Sequence, residues 1–195
     1  MYYVVRYTGQ FGYIKPWTAV RDSLTYSQQF LTPSIIEGME KKLFPEMLEK
    51  PGVIERIARH KLQYSGISEQ AETTFTRGLS RLPNSNLVTH GSVKNGVINF
   101  APLTRGVMVR PVLFLAFYSE EDARKASTQH LCLCRNEDVV LPDEEVIPMT
   151  EEEFNALAGF ELRFGNEKHS FPVGYSRFDR ELKTGWIECN GQALS

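Results

Sequence analysis

The sequence predicts an α+β fold in which helices cover one face of an antiparallel sheet. The segment Tyr2–Thr8 is rich in Tyr and Val and ends at Gly9, as is typical of a β-strand. Apolar residues at helical spacing follow Pro33 and predict an α-helix. The apolar run Val107–Tyr118 has the length and the Val and Phe content of a buried central strand.

The first helix is predicted to begin at Pro33. Thr32 is the expected N-cap, and proline at the first helical position loses nothing because that N–H has no partner in a helix. One apolar stripe of this helix is expected to face the core: Ile35, Ile36, Met39 and Leu43. A second short helix is predicted within Val53–Leu62, because Ile54, Ile57 and Ala58 share a helical face.

The segment Tyr64–Asn86 is polar and is interrupted by glycine and proline, so it predicts a long loop or an inserted hairpin. Leu87–Ser92 and Val97–Phe100 then flank the dipeptide Asn95-Gly96. Both residues of that dipeptide tolerate the positive φ of a tight turn. We therefore expect a hairpin centred on Asn95-Gly96.

Shorter elements follow. A helix is predicted over Glu120–Thr128, where acidic residues occupy the positive end of the helix dipole, and a strand over Leu131–Arg135. Thr150 and Glu153 form a capping box that begins another helix, which Gly159 ends. Two more strands are predicted, Phe160–Phe164 and Trp186–Cys189.

From Tyr2 to Arg135 the predicted order is β–α–insertion–β–β–α–β. This is the ferredoxin-like (RRM-like) plan, an antiparallel sheet with two helices on one face. We expect a single domain over residues 1–195, with a core at about 1–140, an insertion at about 64–86 and a C-terminal extension at about 141–195 packed on the core. Many unrelated functions use this plan, so function must be argued from sites.

Composition excludes several protein classes. The chain has 195 residues, of which 42% are hydrophobic and 11% aromatic, so overall disorder is not expected. The longest apolar run, Val112–Phe117, is far shorter than the ~20 residues that a membrane span needs. The first seven residues lack a basic leader and a long apolar stretch, so we expect no signal peptide. Three cysteines, an odd set without a disulfide framework, favour a reducing, cytoplasmic location: Cys132, Cys134 and Cys189.

Charge is segregated along the chain, although the net charge is only −2. The 47 residues of Thr73–Ser119 contain no Asp or Glu, whereas Glu120–Glu153 contains eleven. Such segregation is typical of a protein with one basic face, and basic faces bind nucleic acid. The alternative is that the cations are scattered over solvated edges.

Motifs of common catalytic and metal sites are missing. The sequence has no GxxxxGK[ST], GxGxxG or GxSxG segment. Cys132 and Cys134 lack the second ligand pair of a structural zinc site, and the four histidines are dispersed: His60, His90, His130 and His169. The carboxylates of Asp143–Glu145 and Glu151–Glu153 are interpreted as solvated charge. We expect neither a cofactor nor a metal.

One segment could support metal-free RNA cleavage. Arg59-His60-Lys61 with Tyr64 supplies a base, cations and an acid, and on a helix His60 and Tyr64 would share a face at i and i+4. The alternative interpretation is an ordinary polar helical face.

Aromatic and basic residues predict a single-stranded RNA interface. Aromatic rings stack on unpaired bases while cations bind phosphates. The loop after the first strand offers Phe11, Tyr13, Lys15, Trp17 and Arg21. The acid-free stretch adds phosphate-binding candidates, with Arg105 and Arg110 on either side of Gly106: Arg77, Arg81, His90, Lys94, Arg105 and Arg110.

The chain resembles the RAMP superfamily of CRISPR–Cas proteins. The resemblance lies in the Tyr2–Thr8 strand that runs into Gly9, the helix start Leu31-Thr32-Pro33-Ser34-Ile35-Ile36-Glu37-Gly38, and the late segment Leu131-Cys132-Leu133-Cys134-Arg135-Asn136-Glu137-Asp138. The size is similar to that of the small subunit that binds the 5′ handle of crRNA and caps its backbone in Cascade-type effector complexes.

The resemblance implies a non-catalytic role, with crRNA and other effector-complex subunits as partners. It implies that Tyr64–Asn86 is a thumb-like insertion between guide and target DNA. It also implies that Phe11–Arg21 and Arg105–Arg110 contact the 5′ handle. Two alternatives stay open. One is an RNA-processing endonuclease of the same superfamily that uses His60 or His90. The other is a protein that does not bind RNA, such as an anti-defence or scaffold protein that binds through Glu120–Glu153.

Overall fold

The computed structural model describes residues 1–16, 24–75, 79–80, 88–89, 100–133, 135–175 and 180–191. In chain order the first half contains β1 (Tyr2–Thr8), β2 (Phe11–Gly12), β3 (Leu24–Tyr26), α1 (Pro33–Leu43), a 3₁₀ helix (Pro45–Glu49), β4 (Ile57–Gln63), β5 (Gly66–Phe75), β6 (Leu79–Ser80) and β7 (Val88–Thr89). The second half contains β8 (Phe100–Val109), β9 (Val112–Phe117), α2 (Glu120–Ala126), β10 (Leu131–Cys132), β11 (Val139–Met149), α3 (Glu151–Ala156), β12 (Gly159–Phe164), β13 (Phe171–Tyr175) and β14 (Leu182–Asn190).

The predicted fold class is confirmed at the level of a sheet-rich α+β protein with a large antiparallel sheet and few helices. Eight strands form this main sheet in the order β10-β11-β1-β9-β4-β12-β14-β13, and every neighbouring pair is antiparallel. Strands β1 and β4, which α1 connects, run in the same direction with β9 between them. No helix in the described part of the chain is long and apolar enough to cross a membrane.

Two apolar layers bury the centre of the main sheet. On the face that α1 and α2 cover, Val5, Tyr7, Leu113 and Leu115 are fully buried. On the opposite face Phe154 of α3 packs in a second cluster: Val4, Phe114, Ala116 and Phe154. Alternation of side chains along β1 and β9 supplies both layers, because successive residues of a strand point to opposite faces.

Helix α1 begins at Pro33, as the sequence predicts. Pro33 is its first residue, and the main-chain carbonyl of Thr32 accepts hydrogen bonds from the amides of Ile35 and Ile36, both at 3.0 Å. The hydroxyl of Thr32 makes no cap hydrogen bond and instead pairs with that of Ser34 at 3.0 Å. The capping box of α3 is also confirmed, since Thr150 and Glu153 make both reciprocal hydrogen bonds.

The second helix predicted within Val53–Leu62 is wrong, because residues 57–63 form strand β4. This strand lies between β9 and β12. Arg59 and Lys61 are buried on it where a regular pattern would place apolar residues. Two buried cations hide the alternation that would have indicated a strand.

The single strand predicted over Val107–Tyr118 is in fact two strands in two sheets. β8 ends at Val109, Arg110 has a φ of 50°, and β9 begins after Pro111. Proline cannot donate to a strand ladder, so the chain turns here. The predicted central position is correct for β9, which lies between β1 and β4.

Strands β5 and β8 form a long antiparallel pair, the β5–β8 ribbon, from Gly66 opposite Val109 to Phe75 opposite Phe100. Strands β2 and β3 also pair with β8. The first half of the segment predicted as a loop or hairpin, Tyr64–Asn86, is therefore mostly a strand of this ribbon. The predicted Asn95-Gly96 turn lies outside the described residues.

Candidate RNA-binding cleft

A cleft of about 670 Å³ lies at one edge of the main sheet, on the face opposite α1. Its floor is a cross-strand row in which Thr8, Val112 and Gln63 stand side by side on β1, β9 and β4. Its walls come from the three places where β1 ends, β4 passes into β5, and β8 passes into β9. The ribbon and the main sheet therefore meet at the cleft.

Two backbone hydrogen bonds join the turn after β1 to the corner between β8 and β9. The amide of Gly9 donates to the carbonyl of Pro111 at 3.0 Å, and the amide of Arg110 donates to the carbonyl of Gln10 at 2.8 Å. A Cβ atom on Gly9 would lie 2.8 Å from the carbonyl oxygen of Val139, so this close approach needs glycine. The turn after β1 is thus fastened to the corner between β8 and β9.

Two arginines give the cleft its charge. Arg110 is exposed, and no residue in the described ranges pairs with its guanidinium. Arg6 Nη1 lies 2.9 Å from Asp143 Oδ2. No Asp or Glu is among the described residues that line the cleft: Arg6, Thr8, Gly9, Gln10, Gln63, Tyr64, Ser65, Arg110, Pro111, Val112, Val139 and Leu141. An anion in the cleft would therefore meet the Arg110 guanidinium, neutral polar groups, and Arg6 with its partner Asp143.

Neutral polar side chains complete the lining. The carboxamides of Gln10 and Gln63 have no hydrogen-bond partner in the part of the chain that the structure describes. The ring of Tyr64 stacks on Phe160, with centroids 6.0 Å apart and planes at 16°, and burial raises the pKa of its hydroxyl. The cleft therefore has two carboxamides that no described residue of the protein engages.

Of the predicted RNA-binding residues, Arg110 lies in this cleft and Phe11 lies near it. Phe11 belongs to β2, pairs with Val109 and is 45% exposed. Lys15 is exposed on the chain that follows β2. Stacking by Phe11 and phosphate binding by Lys15 and Arg110 stay predictions.

The ring of Tyr13, which was predicted to stack on bases, is only 5% exposed. The guanidiniums of Arg105 and Arg135 lie over it, 5.6 Å and 5.4 Å from its centroid. Arg105 Nε lies 3.4 Å from Glu72 Oε2, while Arg135 makes two hydrogen bonds to Asp138, which raise the pKa of its guanidinium. In this arrangement the guanidiniums of Arg105 and Arg135 take the place at the Tyr13 ring where a stacked base was expected.

Six of the predicted RNA-binding residues lie outside the described residues: Trp17, Arg21, Arg77, Arg81, His90 and Lys94. Their role in RNA binding stays a prediction.

The expected helical pair of His60 and Tyr64 is wrong, because His60 lies on β4 and Tyr64 follows the end of that strand. His60 stands opposite Leu115, on the face that α1 covers, and its Nε2 is buried without a hydrogen-bond partner among the described residues. Burial lowers the pKa of His60 to about 4, with an opposing effect from Glu161 and a smaller lowering from Arg59. The imidazole is therefore neutral near pH 7.

The neighbours of His60 on β4 attach α3 to the sheet. Arg59 makes two 2.7 Å hydrogen bonds to Glu161, which raise the pKa of its guanidinium. Lys61 Nζ donates to the carbonyls of Asn155 and Leu157 at 2.7 and 2.8 Å, where α3 ends, and burial lowers its pKa. Both cations are buried and hold α3 and β12 against β4, although Arg59 Nη1 has only a 3.5 Å ion pair with Glu151 Oε1 and no hydrogen bond among the described residues.

Metal ligands are not clustered in the described ranges: no group of three or more His, Cys, Asp or Glu there could hold a metal ion. Cys132 and Cys189 are free thiols, and Cys134 lies outside the described residues.

The chain has a distant structural likeness to a solved chain titled "CRISPR RNA-guided surveillance complex". The two share 12% sequence identity with a TM-score of 0.48, over 96% of this chain and 88% of that chain. No protein-family model matches the sequence, and no curated protein matches it.

Sequence reasoning missed Arg6, Gln10 and Gln63 as members of one cleft. They come from the middle of β1, the turn after it and the end of β4. Nothing in their local sequence indicates that they meet. Only the register of β1, β9 and β4 brings these segments side by side.

Proposed function

We propose that this protein is a non-catalytic, RNA-binding subunit of a Cascade-type CRISPR effector complex, and that it holds the 5′ handle of crRNA and caps its backbone. The observation that carries the proposal is the cleft beside the β5–β8 ribbon. Among the described residues, none pairs with the exposed Arg110 guanidinium and no carboxylate lines the cleft, while Arg6, the second arginine of the cleft, is paired with Asp143. Phosphate groups of single-stranded RNA are ligands that an exposed arginine in such a site can bind.

The order of strands supports the ferredoxin-like plan that the RAMP resemblance implies. In that plan β11, β1, β9 and β4 would take the places of the fourth, first, third and second strands, and these four strands lie side by side in that order. The parallel strands β1 and β4 with β9 between them match the split βαβ unit that the plan requires. This plan hosts many functions, so the cleft and not the fold carries the proposal.

The β5–β8 ribbon is our candidate for the base of the thumb-like insertion. Both of its strands leave the main sheet at the cleft, through Ser65 on one side and Arg110 on the other. An RNA strand in the cleft would therefore also contact the start of the ribbon. We propose that the tip of the insertion reaches between guide and target DNA.

The absence of catalysis in the proposal is supported by His60. A general base has to reach the proton that it abstracts and to have a pKa near the working pH. His60 is half-buried on the α1 side of the sheet, and burial lowers its pKa to about 4, well below a working pH near 7.

The test begins with the tagged full-length protein purified from its native host, followed by sequencing of co-purifying RNA and identification of co-purifying proteins. Short RNAs with one repeat-derived end and varied spacers, together with other effector subunits, are expected. A single protein partner without RNA would contradict the proposal and favour the interaction protein that binds through Glu120–Glu153.

A binding experiment complements the purification. We expect the combined Arg77, Arg81, Arg105 and Arg110 to Ala variant to lose affinity for single-stranded RNA. We also expect wild-type affinity to fall steeply with salt, with a slope of about −0.7 per phosphate contact. Unchanged RNA binding by the combined variant would contradict a basic RNA-binding surface.

A further inference from the structure

We propose that Arg105 and Arg135 form a second phosphate-binding site for the RNA, and that Glu72 competes with the phosphate for both guanidiniums. This inference rests on the proposed function and goes beyond it, because that function assigns no role to Arg135 or Glu72. The observation is that the two arginines converge on one atom, Glu72 Oε2. Arg105 Nε lies 3.4 Å from this oxygen, and Arg135 Nη1 lies 3.9 Å from it.

Groups other than Glu72 help to position the two guanidiniums. Arg105 belongs to β8 of the β5–β8 ribbon, and Arg135 belongs to the turn between β10 and β11. Both guanidiniums lie over the ring of Tyr13. Arg135 also binds Asp138 through Nε and Nη2 at 2.7 and 2.8 Å, which leaves its Nη1 for Glu72. Tyr13 and Asp138 therefore help to fix the two cations side by side.

Glu72 itself fits loosely between the two arginines. Hydrogen bonds between a cation and a carboxylate are usually about 2.7–2.9 Å long, and both contacts of Glu72 are longer. Its side chain is 39% exposed, whereas those of Arg105 and Arg135 are 21% and 23% exposed. Of the three side chains, the carboxylate is thus the most accessible to solvent. An anion that approaches the arginines from solvent can therefore compete with it.

A phosphate suits this pair of cations because guanidiniums match the oxygen geometry of phosphate and bind it through more than one hydrogen bond. Among the described residues, Glu72 is the only carboxylate paired with Arg105. The two carboxylates of the turn, Glu137 and Asp138, both contact Nε of Arg135. Asp138 is also buried. The carboxylate that a phosphate has to replace at Arg105 Nε and Arg135 Nη1 is therefore that of Glu72.

The experiment measures binding of the full-length protein to a fluorescently labelled RNA decamer, U₁₀, by anisotropy at low salt. We expect Glu72→Gln to raise the affinity by up to about fivefold, the range expected when a partly exposed ion pair is removed. In the Arg105→Gln background the same substitution should give a smaller gain, because one of the two guanidiniums that it releases is missing. Glu69→Gln is the matched control and should raise the affinity less. Glu69 lies on the opposite face of β5, where its carboxylate accepts a 2.8 Å hydrogen bond from the hydroxyl of Tyr26.

Arg135 is tested together with Asp138, because removal of the arginine alone would leave a buried carboxylate without its partner. The double variant Arg135→Gln/Asp138→Asn leaves the net charge unchanged. Its slope of log affinity against log salt concentration should decrease in magnitude by about 0.7, because one phosphate contact is lost. Circular dichroism and the midpoint of thermal unfolding show whether each variant is folded. If the double variant or Glu72→Gln is not, Arg105→Gln must show the same decrease in slope.

The outcomes separate this inference from the proposed function. Equal gains in Glu72→Gln and Glu69→Gln, an undiminished gain in the Arg105→Gln background, or a wild-type salt slope in Arg135→Gln/Asp138→Asn or Arg105→Gln overturns the second site and leaves RNA binding at the cleft intact. Weaker binding by Glu72→Gln also overturns it, since Glu72 would then support the arginines and not compete for them. If the wild-type protein binds no RNA, both this inference and the proposed function are overturned.

Discussion

Arg6 Nη1 lies 2.9 Å from Asp143 Oδ2, so a carboxylate of β11 holds one of the two arginines of the cleft. The two side chains are 42% and 39% exposed, so the pair is accessible to solvent. An RNA phosphate that binds Arg6 at Nη1 competes with Asp143 for that donor. The protein thus carries an internal competitor for its own proposed ligand.

Asp143→Asn is expected to raise affinity for single-stranded RNA by up to about fivefold at low salt, because half-exposed ion pairs contribute about 0.2–1 kcal/mol. The measurement is RNA anisotropy at two salt concentrations. Glu144→Gln removes a neighbouring exposed carboxylate of the same strand and is the control. If both variants gained the same RNA affinity, the cause would be the change in net charge, and the proposed release of Arg6 from Asp143 would be contradicted.

Arg110→Gly is expected to lower RNA affinity by about tenfold, because it removes one charged hydrogen-bond donor. The slope of log affinity against log salt concentration should decrease in magnitude by about 0.7, because one phosphate contact is lost. Arg110 has a φ of 50°, a conformation that glycine adopts without strain, so the free energy of unfolding should stay within about 1 kcal/mol of wild type. Urea unfolding and RNA anisotropy together check this prediction. Arg124→Ala, at another exposed arginine, should change neither quantity. A wild-type salt slope in Arg110→Gly would show that Arg110 does not bind phosphate.

Glu40→Ala is expected to lower the free energy of unfolding by at least about 3 kcal/mol. The Glu40 carboxylate is fully buried and accepts hydrogen bonds from the amides of Glu55, Arg56 and Ile57 at 2.8–2.9 Å. Removing it leaves three backbone donors without their partner, that of Ile57 buried and those of Glu55 and Arg56 part-buried, and a buried donor without a partner costs about 1–3 kcal/mol. Urea unfolding measures the loss, and Glu49→Ala at an exposed position is the control. A loss below 1 kcal/mol would mean that water replaces the carboxylate.

Stability is expected to fall in mild acid because of His60. Burial lowers the pKa of His60 in the folded protein to about 4, below its value of about 6.5 in the unfolded chain. The unfolded chain therefore takes up the proton first, so this contribution is complete above pH 6.5 and is lost as the pH falls towards 4. It amounts to roughly 3 kcal/mol.

Chemical unfolding of wild type and His60→Gln from pH 7 to pH 4 checks this contribution. The variant should lose less stability over this interval, whatever its stability at pH 7. His130→Gln, at an exposed histidine, should follow the wild-type curve. Parallel curves for wild type and His60→Gln would show that carboxylates, and not His60, cause the acid loss.

The sequence correctly predicted the elements that are determined by residues close to one another in the chain. Strand β1, helix α1 and the capping box of α3 are read correctly because apolar alternation, a proline start and a Thr–Glu spacing are local signals. Strand β4 was misread because Arg59 and Lys61 are buried on it, and their burial depends on Glu161 and on the end of α3, far away in the chain. Long-range ion pairing of this kind leaves no periodic pattern.

The candidate site was predictable only in part. Arg110 stood out in the sequence because it lies in an acid-free stretch beside Gly106. Arg6 and Gln63 did not, since their proximity follows from strand order across β1, β9 and β4. Tyr13 was expected to face RNA, but Arg105 and Arg135 lie over its ring. Residues distant in the chain decide whether an aromatic ring in a loop is covered or exposed. The local sequence around Tyr13 therefore could not predict its burial.

The corner at Arg110 and Pro111 divides one apolar run between two strands, β8 and β9, that belong to different sheets. Both strands of the β5–β8 ribbon join the main sheet through residues that line the cleft. The attachment of the ribbon to the main sheet is therefore part of the lining of the cleft. A molecule that fills the cleft would contact the same two chain segments through which the ribbon is attached.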